Sequence, residues 1–333
     1  MPTTSPLSNT DGRPVSDRPD DTTASVAGVG FALAAYGAWA LAPLYFTAVG
    51  HVPSVEVLAH RIVWSLALLL AVTLVGRKAR RALFVLLKSP RDLAGLVVTS
   101  ALLAVIWLTY VWAVANGRIV ESSLGYYINP LFNVLLGFVF LRERFRVIQI
   151  LAIALAALGV AWLTISMQEL PWIALLLPFC FGMYGLLRKV MHVVDPMAGL
   201  TVEVMIMFVP AAVYLGVLTG RGTAVFINES QSTDILLIAA GPVTALPLVW
   251  FINGAKRLRL STLGLLQYIA PTGQFLLGVL LYHEAFTRHH AIAFICIWTA
   301  LAIYSFDSIR AMRRRRSAGV ESGPAAGIQP ILD

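Results

Sequence analysis

Three ionisable residues stand inside long apolar runs, where charge is costly. His60 and Arg61 lie about two turns into one run, and Glu203 lies early in another. A charged side chain near the bilayer centre costs about 2.5–3.5 kcal/mol on insertion scales, so each should face a partner or a cavity. The Arg61 guanidinium suits a carboxylate or phosphate, and Glu203 suits a coupling proton. These residues predict solute binding; snorkelling, or an ion pair of Glu203 with Arg61 or His60, is the structural alternative.

A second polar feature is a motif that occurs twice, 141 residues apart. Residues 127–145 read YINPLFNVLLGFVFLRERF, and residues 268–286 read YIAPTGQFLLGVLLYHEAF. Pro130 and Pro271 each remove one intrahelical hydrogen bond, and in a bilayer the freed carbonyl must face protein or a wet cavity. The motif predicts two kinked helices that border one central cavity; a role in helix shape alone is the alternative.

Aromatic residues are dense in the same apolar runs, with Trp107 and Tyr110 among them. Their rings could line an amphipathic pocket for flat organic solutes, while interface belts and helix packing are the alternative uses. The predicted solute-binding residues are therefore Trp39, His60, Arg61, Trp112, Tyr126, Tyr127, Asn129, Asn133, Tyr184, Glu203, Gln267 and Tyr268.

Each copy of the repeated motif closes on a glutamate, Glu143 in the first and Glu284 in the second. Both stand just before the next apolar run. A carboxylate at the start of a helix accepts hydrogen bonds from free N–H groups and faces the positive end of the helix dipole. We therefore predict that each glutamate is a structural cap on the helix that follows it.

The composition predicts an all-α integral membrane protein. Hydrophobic residues make up 58% of the 333 residues and charged residues only 13%, and the mean hydropathy is +0.79. A span needs about 20 apolar residues. The residues before 27 are polar and are predicted to be a disordered tail, 1–26. Ten predicted spans follow: 27–49, 55–76, 93–114, 119–140, 147–166, 171–187, 198–219, 234–254, 261–282 and 291–309.

The positions of the basic residues predict the orientation of these spans. With both termini inside, the inner loops and tails hold twenty-one Lys and Arg residues, and the outer loops hold three. This distribution is typical of a multi-pass protein of the cytoplasmic (inner) membrane with cytoplasmic termini. It also accounts for the net charge of +8, including the basic C-terminal tail, 311–333, so no nucleic acid partner is expected.

The repeat predicts a duplicated architecture. Five spans in each half make the second half enter the membrane upside down relative to the first. The halves are residues 27–166 and 171–310, so the expected fold is ten transmembrane helices as two inverted five-helix repeats. Such repeats around a midplane site are typical of secondary transporters.

Several stretches resemble a known family. The two motif copies, the stretch AHRIVWS at 59–65 and the stretch RLRLSTLGLLQYIAP at 257–271 resemble RarD-type permeases. These form part of the EamA branch of the drug/metabolite transporter superfamily. The resemblance spans about residues 27–310 and implies ten helices in two inverted five-helix repeats and an inner-membrane permease.

The expected function is a secondary transporter, an exporter of a small organic metabolite or drug, in which two repeats rock around a central cavity. An integral membrane enzyme and a channel are the alternatives. No P-loop pattern occurs, and no catalytic residue, metal or cofactor is expected. Expected partners are a small organic solute, the lipid bilayer, and a coupling proton or ion. Ala152, Ala156 and Gly159 form a small-residue face in span five that suits an outer scaffold or a homodimer surface.

The charge distribution gives a first testable prediction. Reporter domains fused after residue 333 and inserted in loop 77–92 should both be active in the cytoplasm, because both segments carry clustered cations. A C-terminal reporter that is active only outside the cell would contradict the ten-span topology.

Overall fold

A computed structural model describes residues 21–141, 147–191, 195–258 and 260–321. Across these ranges the chain is helical and contains no β-strand. The helices are α1 Asp21–Ala48, α2 Ser54–Val75, α3 Arg77–Leu87, α4 Pro90–Ala115, α5 Ile119–Leu141, α6 Val147–Met167, α7 Trp172–Val190, α8 Pro196–Gly220, α9 Gln231–Ala255, α10 Leu260–Leu266, α11 Ile269–Leu276 and α12 Arg288–Glu321.

The ten predicted spans are confirmed as ten segments long and apolar enough to cross a membrane. The helix α3 is an addition, because the sequence assigns residues 77–92 to a loop. Both predicted tail boundaries are wrong: α1 begins at Asp21, and α12 continues to Glu321. Helix formers such as Ala, Met and Arg follow residue 310, and nothing requires a helix to stop at the membrane surface.

Short polar segments fix where several spans begin. The Asp195 carboxylate accepts hydrogen bonds from the N–H groups of Met197 (2.9 Å) and Ala198 (3.1 Å), and Pro196 occupies the first helical position of α8. The Ser230 hydroxyl accepts from Thr233 N–H at 3.1 Å and starts α9. Side-chain caps satisfy orphan N–H groups, and Pro lacks the N–H that would be orphaned.

The two copies of the repeated motif differ in backbone structure. The described part of the first copy, residues 127–141, lies in α5, which continues as one helix through Pro130. The second is interrupted: α10 ends at Leu266, a turn covers residues 267–268, α11 carries Pro271, and a π-helical turn covers Leu277–Leu281. The two copies therefore differ in backbone continuity, and the kinks at Pro130 and Pro271 stay a prediction.

The helices pack in two groups that each mix the two halves of the sequence. We call α1, α2, α9, α10 and α11 the first group, and α4, α5, α7 and α8 the second group. Within each group the main packing pairs join a helix of one half to a helix of the other, as α1 and α2 do with α9, and α4 and α5 with α7. The groups meet where α2 packs on α8 and α5 packs on α11.

The bundle has two ends. The basic end carries α3 and the segment 255–260, and the opposite end carries residues 49–53, 116–118, 168–171, 221–230 and 282–287. The groups contact each other near the basic end, where the hydroxyls of Thr73 (α2) and Thr201 (α8) lie 2.7 Å apart.

The small-residue face of span five packs inside the same chain. Ala152, Ala156 and Gly159 are buried, and α6 makes its main contacts with α12. A Cβ on Gly159 would lie 2.8 Å from the Cβ of Cys296. This face therefore holds α12 as an outer scaffold and is not available as a homodimer surface.

Close approach of α9 to α2 gives a stability prediction. A Cβ at Gly241 would lie 2.5 Å from the Trp64 backbone carbonyl carbon, so Gly241→Ala should force the helices apart. Overpacking of this kind costs about 1–3 kcal/mol, and we expect a lower thermal midpoint in detergent. The control is Gly216→Ala in α8, where a Cβ meets nothing within 4 Å. A normal midpoint for the Gly241 variant would contradict the close packing.

Candidate functional site

Arg61 lies where the two helix groups face each other. Its guanidinium carbon lies 4.4 Å from the ring centroid of Trp107 on α4 and 5.2 Å from that of Phe46 on α1. The Tyr110 ring on α4 lies 5.7 Å from that of Phe46, and the Tyr126 ring on α5 lies 6.0 Å from that of Tyr110. A cation is thus enclosed by aromatic side chains from both groups.

Two of the three guanidinium nitrogens of Arg61 lack a hydrogen-bond acceptor in the described part of the chain. The residue is 8% exposed, and its Nε and Nη1 atoms are buried without a hydrogen-bond acceptor among the described residues. The Tyr110 hydroxyl is buried and unpartnered in the same sense. Cation–π contacts supply about 2 kcal/mol when desolvated, whereas burial of an ion costs several kcal/mol. The rings alone therefore do not compensate for the buried charge.

His60 points toward the opposite end. Its Nδ1 accepts a hydrogen bond from Trp64 Nε1 at 3.2 Å, and its ring lies 4.7 Å from that of Phe226. Its Nε2 is buried without a partner among the described residues. The His60 ring is therefore held in place by these contacts, while its Nε2 atom is free of a hydrogen bond to the described residues.

Glu203 belongs to a separate cluster within the second group. Its carboxylate accepts hydrogen bonds from Thr99 Oγ1 (2.7 Å) and the Tyr184 hydroxyl (3.0 Å), and it lies 3.6 Å from Arg188 Nη1. The predicted ion pair with Arg61 or His60 is wrong. Gly199 leaves room for the Arg188 guanidinium, which packs directly against it. Arg188 therefore reaches Glu203 from α7 across the face of α8.

Tyr127 and Tyr268 are brought together, but beside α12 rather than next to Arg61. Their rings stack with centroids 6.2 Å apart, and the hydroxyls of Tyr127 and Thr272 lie 2.6 Å apart. A groove of about 260 Å³ is lined by Tyr127, Leu265, Tyr268, Trp298, Leu301, Ala302 and Ser305. The two tyrosines thus connect α5 to α11 and border a peripheral groove; they do not enclose the Arg61 guanidinium.

Four other predicted residues lie in three further places. Trp39 packs against Tyr36 and Phe251, with ring centroids 5.6 and 5.7 Å away. Along α5, the Asn129 Oδ1 is buried without a partner among the described residues, and Asn133 is exposed beside α7. The Gln267 side chain bonds locally to the Gly264 carbonyl at 3.0 Å.

Trp112 lies at the opposite end. Its ring is 5.3 Å from that of Trp172 and 5.9 Å from the guanidinium carbon of Arg118. Arg118 binds Glu169 at 3.0 Å, and this hydrogen bond raises the pKa of Arg118 above its usual value. Trp112 therefore belongs to a charged surface cluster and not to the Arg61 site.

Glu284 caps a helix, but not the predicted one. Its carboxylate accepts from the N–H groups of Ile119 (2.7 Å) and Val120 (2.8 Å) at the start of α5. The prediction of a cap on the following helix is wrong, because the chain returns at residue 284 beside the exposed N-terminus of α5. This contact joins the two groups at the opposite end. Glu143 lies outside the described residues.

Sequence reasoning missed three residues that complete these clusters. Phe46 sits in an apolar run with nothing in the local sequence to distinguish it. Arg188 and Thr99 were also missed: Arg188 reads as a cytoplasmic loop cation, and Thr99 as a minor polar residue in a span. Glu203 has no cation in its own predicted span. A search for a cation at the end of the preceding span could have identified Arg188 as its partner.

Comparison with known proteins matches residues 26–165 to the EamA-like transporter family. The chain is 44% identical over 291 residues to an uncharacterized transporter of Vibrio cholerae, covering 87% of this chain and 96% of that protein. It is 43% identical over 288 residues to the protein RarD of Salmonella typhi, covering 86% and 97%. A solved crystal structure with 20% identity has a similar fold, with a TM-score of 0.52 over 85% of this chain and 97% of that one.

The relatives span nearly the whole described bundle, and the family that they represent consists of transporters. The chain therefore belongs to the EamA-like transporter family, in its RarD-type branch, and is a multi-pass membrane permease and not an enzyme.

Proposed function

We propose that this permease is a secondary transporter that exports a small organic solute, and that Arg61 binds the polar group of that solute. The observation that carries the proposal is the buried, unpartnered guanidinium between the Trp107 and Phe46 rings. A structural arginine in a bilayer is expected to have a carboxylate or carbonyl partner. A group that arrives with the solute would supply the missing acceptor.

The surroundings of Arg61 indicate the class of solute. The unpartnered Nε and Nη1 atoms of the guanidinium suit oxygens of an anionic group such as a carboxylate or phosphate, and the Tyr110 hydroxyl offers a further donor. Trp107, Tyr110 and Tyr126 present aromatic surface for a flat, apolar body. The solute is therefore a small organic anion with an aromatic or similarly flat skeleton.

Alternating access follows from the packing of the two groups. Arg61 lies between them, and the contacts that join them include Glu284 with α5 at the opposite end and Thr73 with Thr201 nearer the basic end. Opening either end requires one of these junctions to separate. The two units that move relative to each other are then the first and second helix groups, and not the two halves of the sequence.

The packing also supports the inverted duplication, with halves 27–166 and 171–310. In the proposed duplication each span corresponds to the span five places later, so α1, α2, α4, α5 and α6 correspond to α7, α8, α9, α11 and α12. This correspondence turns the pair α1–α9 into α7–α4, the pair α2–α9 into α8–α4, and the pair α5–α7 into α11–α1. All of these pairs are in contact. The α2–α8 and α6–α12 pairs map onto themselves. With the basic end in the cytoplasm, this is an inner-membrane protein with both termini inside.

Glu203 is the candidate for the coupling proton. It is fully buried and holds a hydroxyl from α4, a hydroxyl from α7 and the Arg188 cation together. Protonation would remove its charge and weaken all three contacts at once, which would loosen α8 within the second group. A purely structural ion pair is the competing role.

The proposed solute class can be tested directly in sealed vesicles. Purified protein should transport radiolabelled aromatic carboxylates faster than the matched primary amides, because only the carboxylates provide an anionic acceptor for Arg61, and hydrogen bonds between ionised groups are the stronger ones. Equal transport of carboxylates and amides would contradict the anion assignment.

Arg61 variants test the binding residue. With the best carboxylate, Arg61→Ala should lower transport at least about tenfold, since one hydrogen bond to a charged group is worth about 1.5–3 kcal/mol. Arg61→Lys should restore little, because lysine lacks the planar fork. Arg221→Ala, which removes an exposed cation at the opposite end, is the control. Wild-type transport by a correctly inserted Arg61→Ala protein would exclude Arg61 from the site.

Glu203→Gln tests the coupling role. The amide keeps the size of the side chain but cannot exchange a proton, so stimulation of transport by a pH gradient should be lost while gradient-independent exchange persists. The matched control is Glu56→Gln, a second buried carboxylate, which binds the N–H groups of Val225 and Phe226. If both variants keep gradient stimulation, Glu203 is only a structural ion-pair partner.

A further inference from the structure

The helix α3 has a role that the transport site does not explain. It begins at Arg77, and a single residue, Gly76, separates it from the end of the membrane-spanning α2 at Val75. The helix therefore starts at the membrane surface. Its sequence RKARRALFVLL places four cations in the first five residues and apolar residues in the remainder. Lys88 follows directly.

One face of α3 is anchored to the bundle. Leu83 and Leu86 are buried and pack with Leu96 of α4 and with Ala198 and Val202 of α8. This contact holds the helix against the side of the bundle at the basic end. The orientation of the remaining side chains is thereby fixed.

The other face carries two kinds of exposed side chain. Arg77, Lys78, Arg80, Arg81 and Lys88 are exposed, and within the described residues none of them lies within ion-pair distance of a carboxylate. Phe84 and Val85 are 54% and 67% exposed. Exposed apolar groups beside unpaired cations are poorly suited to water or to a hydrocarbon core, but they suit the boundary between headgroups and acyl chains.

We propose that α3 is an interfacial helix that binds anionic phospholipid headgroups at the basic end of the bundle. The cations contact lipid phosphates, while Phe84 and Val85 insert among the first acyl carbons. Charge complementarity supports this occupant, since a basic segment next to a membrane span attracts anionic lipid. Bound lipid would also lie close to α8, because Leu83 and Leu86 of α3 pack on the first two turns of α8.

A labelling experiment on the full chain tests the proposal. Val85→Cys, in a background of Cys180→Ala and Cys296→Ala, is labelled with a small fluorophore. The protein is reconstituted in phosphatidylcholine vesicles containing nitroxide-labelled phosphatidylglycerol or nitroxide-labelled phosphatidylcholine. Quenching should report an apparent affinity at least about fivefold higher for phosphatidylglycerol, as one cation near an anionic surface contributes about this factor. High salt should reduce the preference.

Two comparisons make the result specific to α3. Replacing Arg77, Lys78, Arg80 and Arg81 by Gln should abolish the preference, and these exposed positions should not affect folding, which size-exclusion chromatography can verify. A label at Val213→Cys, an exposed mid-span position on α8, should be quenched equally by both lipids.

Three outcomes would overturn the proposal. They are equal quenching by both lipids at residue 85, a preference that survives the four Gln substitutions, and protection of the label from both lipids. The last would mean that a second copy or another protein covers α3. None of these outcomes depends on which solute is transported or on Arg61, so this proposal and the proposed function can fail separately.

Discussion

Burying charge in an apolar bundle is the constraint on which the arrangement of this permease depends. Lipid offers no hydrogen bonds, so each buried carboxylate has its donors within the protein. Glu56 and Glu284 bind backbone N–H groups of other segments, and Glu203 binds two hydroxyls and Arg188. Each partner comes from a helix or loop other than that of the carboxylate, so these contacts also fix how the elements meet. Arg61 departs from the pattern, since it has rings around it but no carboxylate partner among the described residues.

The same constraint explains why the two groups mix the halves of the sequence. A five-span half carries polar groups whose partners lie in the other half, as Glu284 does with the start of α5 and Thr99 with Glu203. Neither half satisfies all of its own polar groups, so each helix group assembles from both. In the proposed alternating-access cycle, the two groups would slide and tilt at the α2–α8 and α5–α11 junctions, where they meet. Arg61 lies beside these junctions, where a change in the spacing of the groups alters its surroundings most.

Sequence patterns predict the ten spans well because length and apolarity alone determine whether a helix can cross a bilayer. They also single out Arg61 and Glu203, because charge in an apolar run is conspicuous. Sequence patterns do not predict which residues pair with each other across helices. Glu203 binds Arg188, and Glu284 caps α5 and not the helix that follows it. These pairings depend on which helix surfaces meet, and hydropathy contains no such information. The same limitation separates Tyr126, whose ring packs against Tyr110 and Phe181, from its neighbour Tyr127, whose ring stacks on Tyr268.

The difference between α5 and its counterpart limits how symmetric the transport cycle is. The packing pairs exchange under the proposed two-fold relation, but α5 is continuous through Pro130, while the corresponding segment is interrupted at residues 267–268 and again by a π-helical turn. Interruptions of this kind are the usual joints within membrane helices. The π-helical turn ends three residues before Glu284, whose carboxylate joins the groups at the opposite end. In the proposed cycle the interrupted segment of the first group would therefore bend, and the continuous α5 would provide the surface against which that end closes.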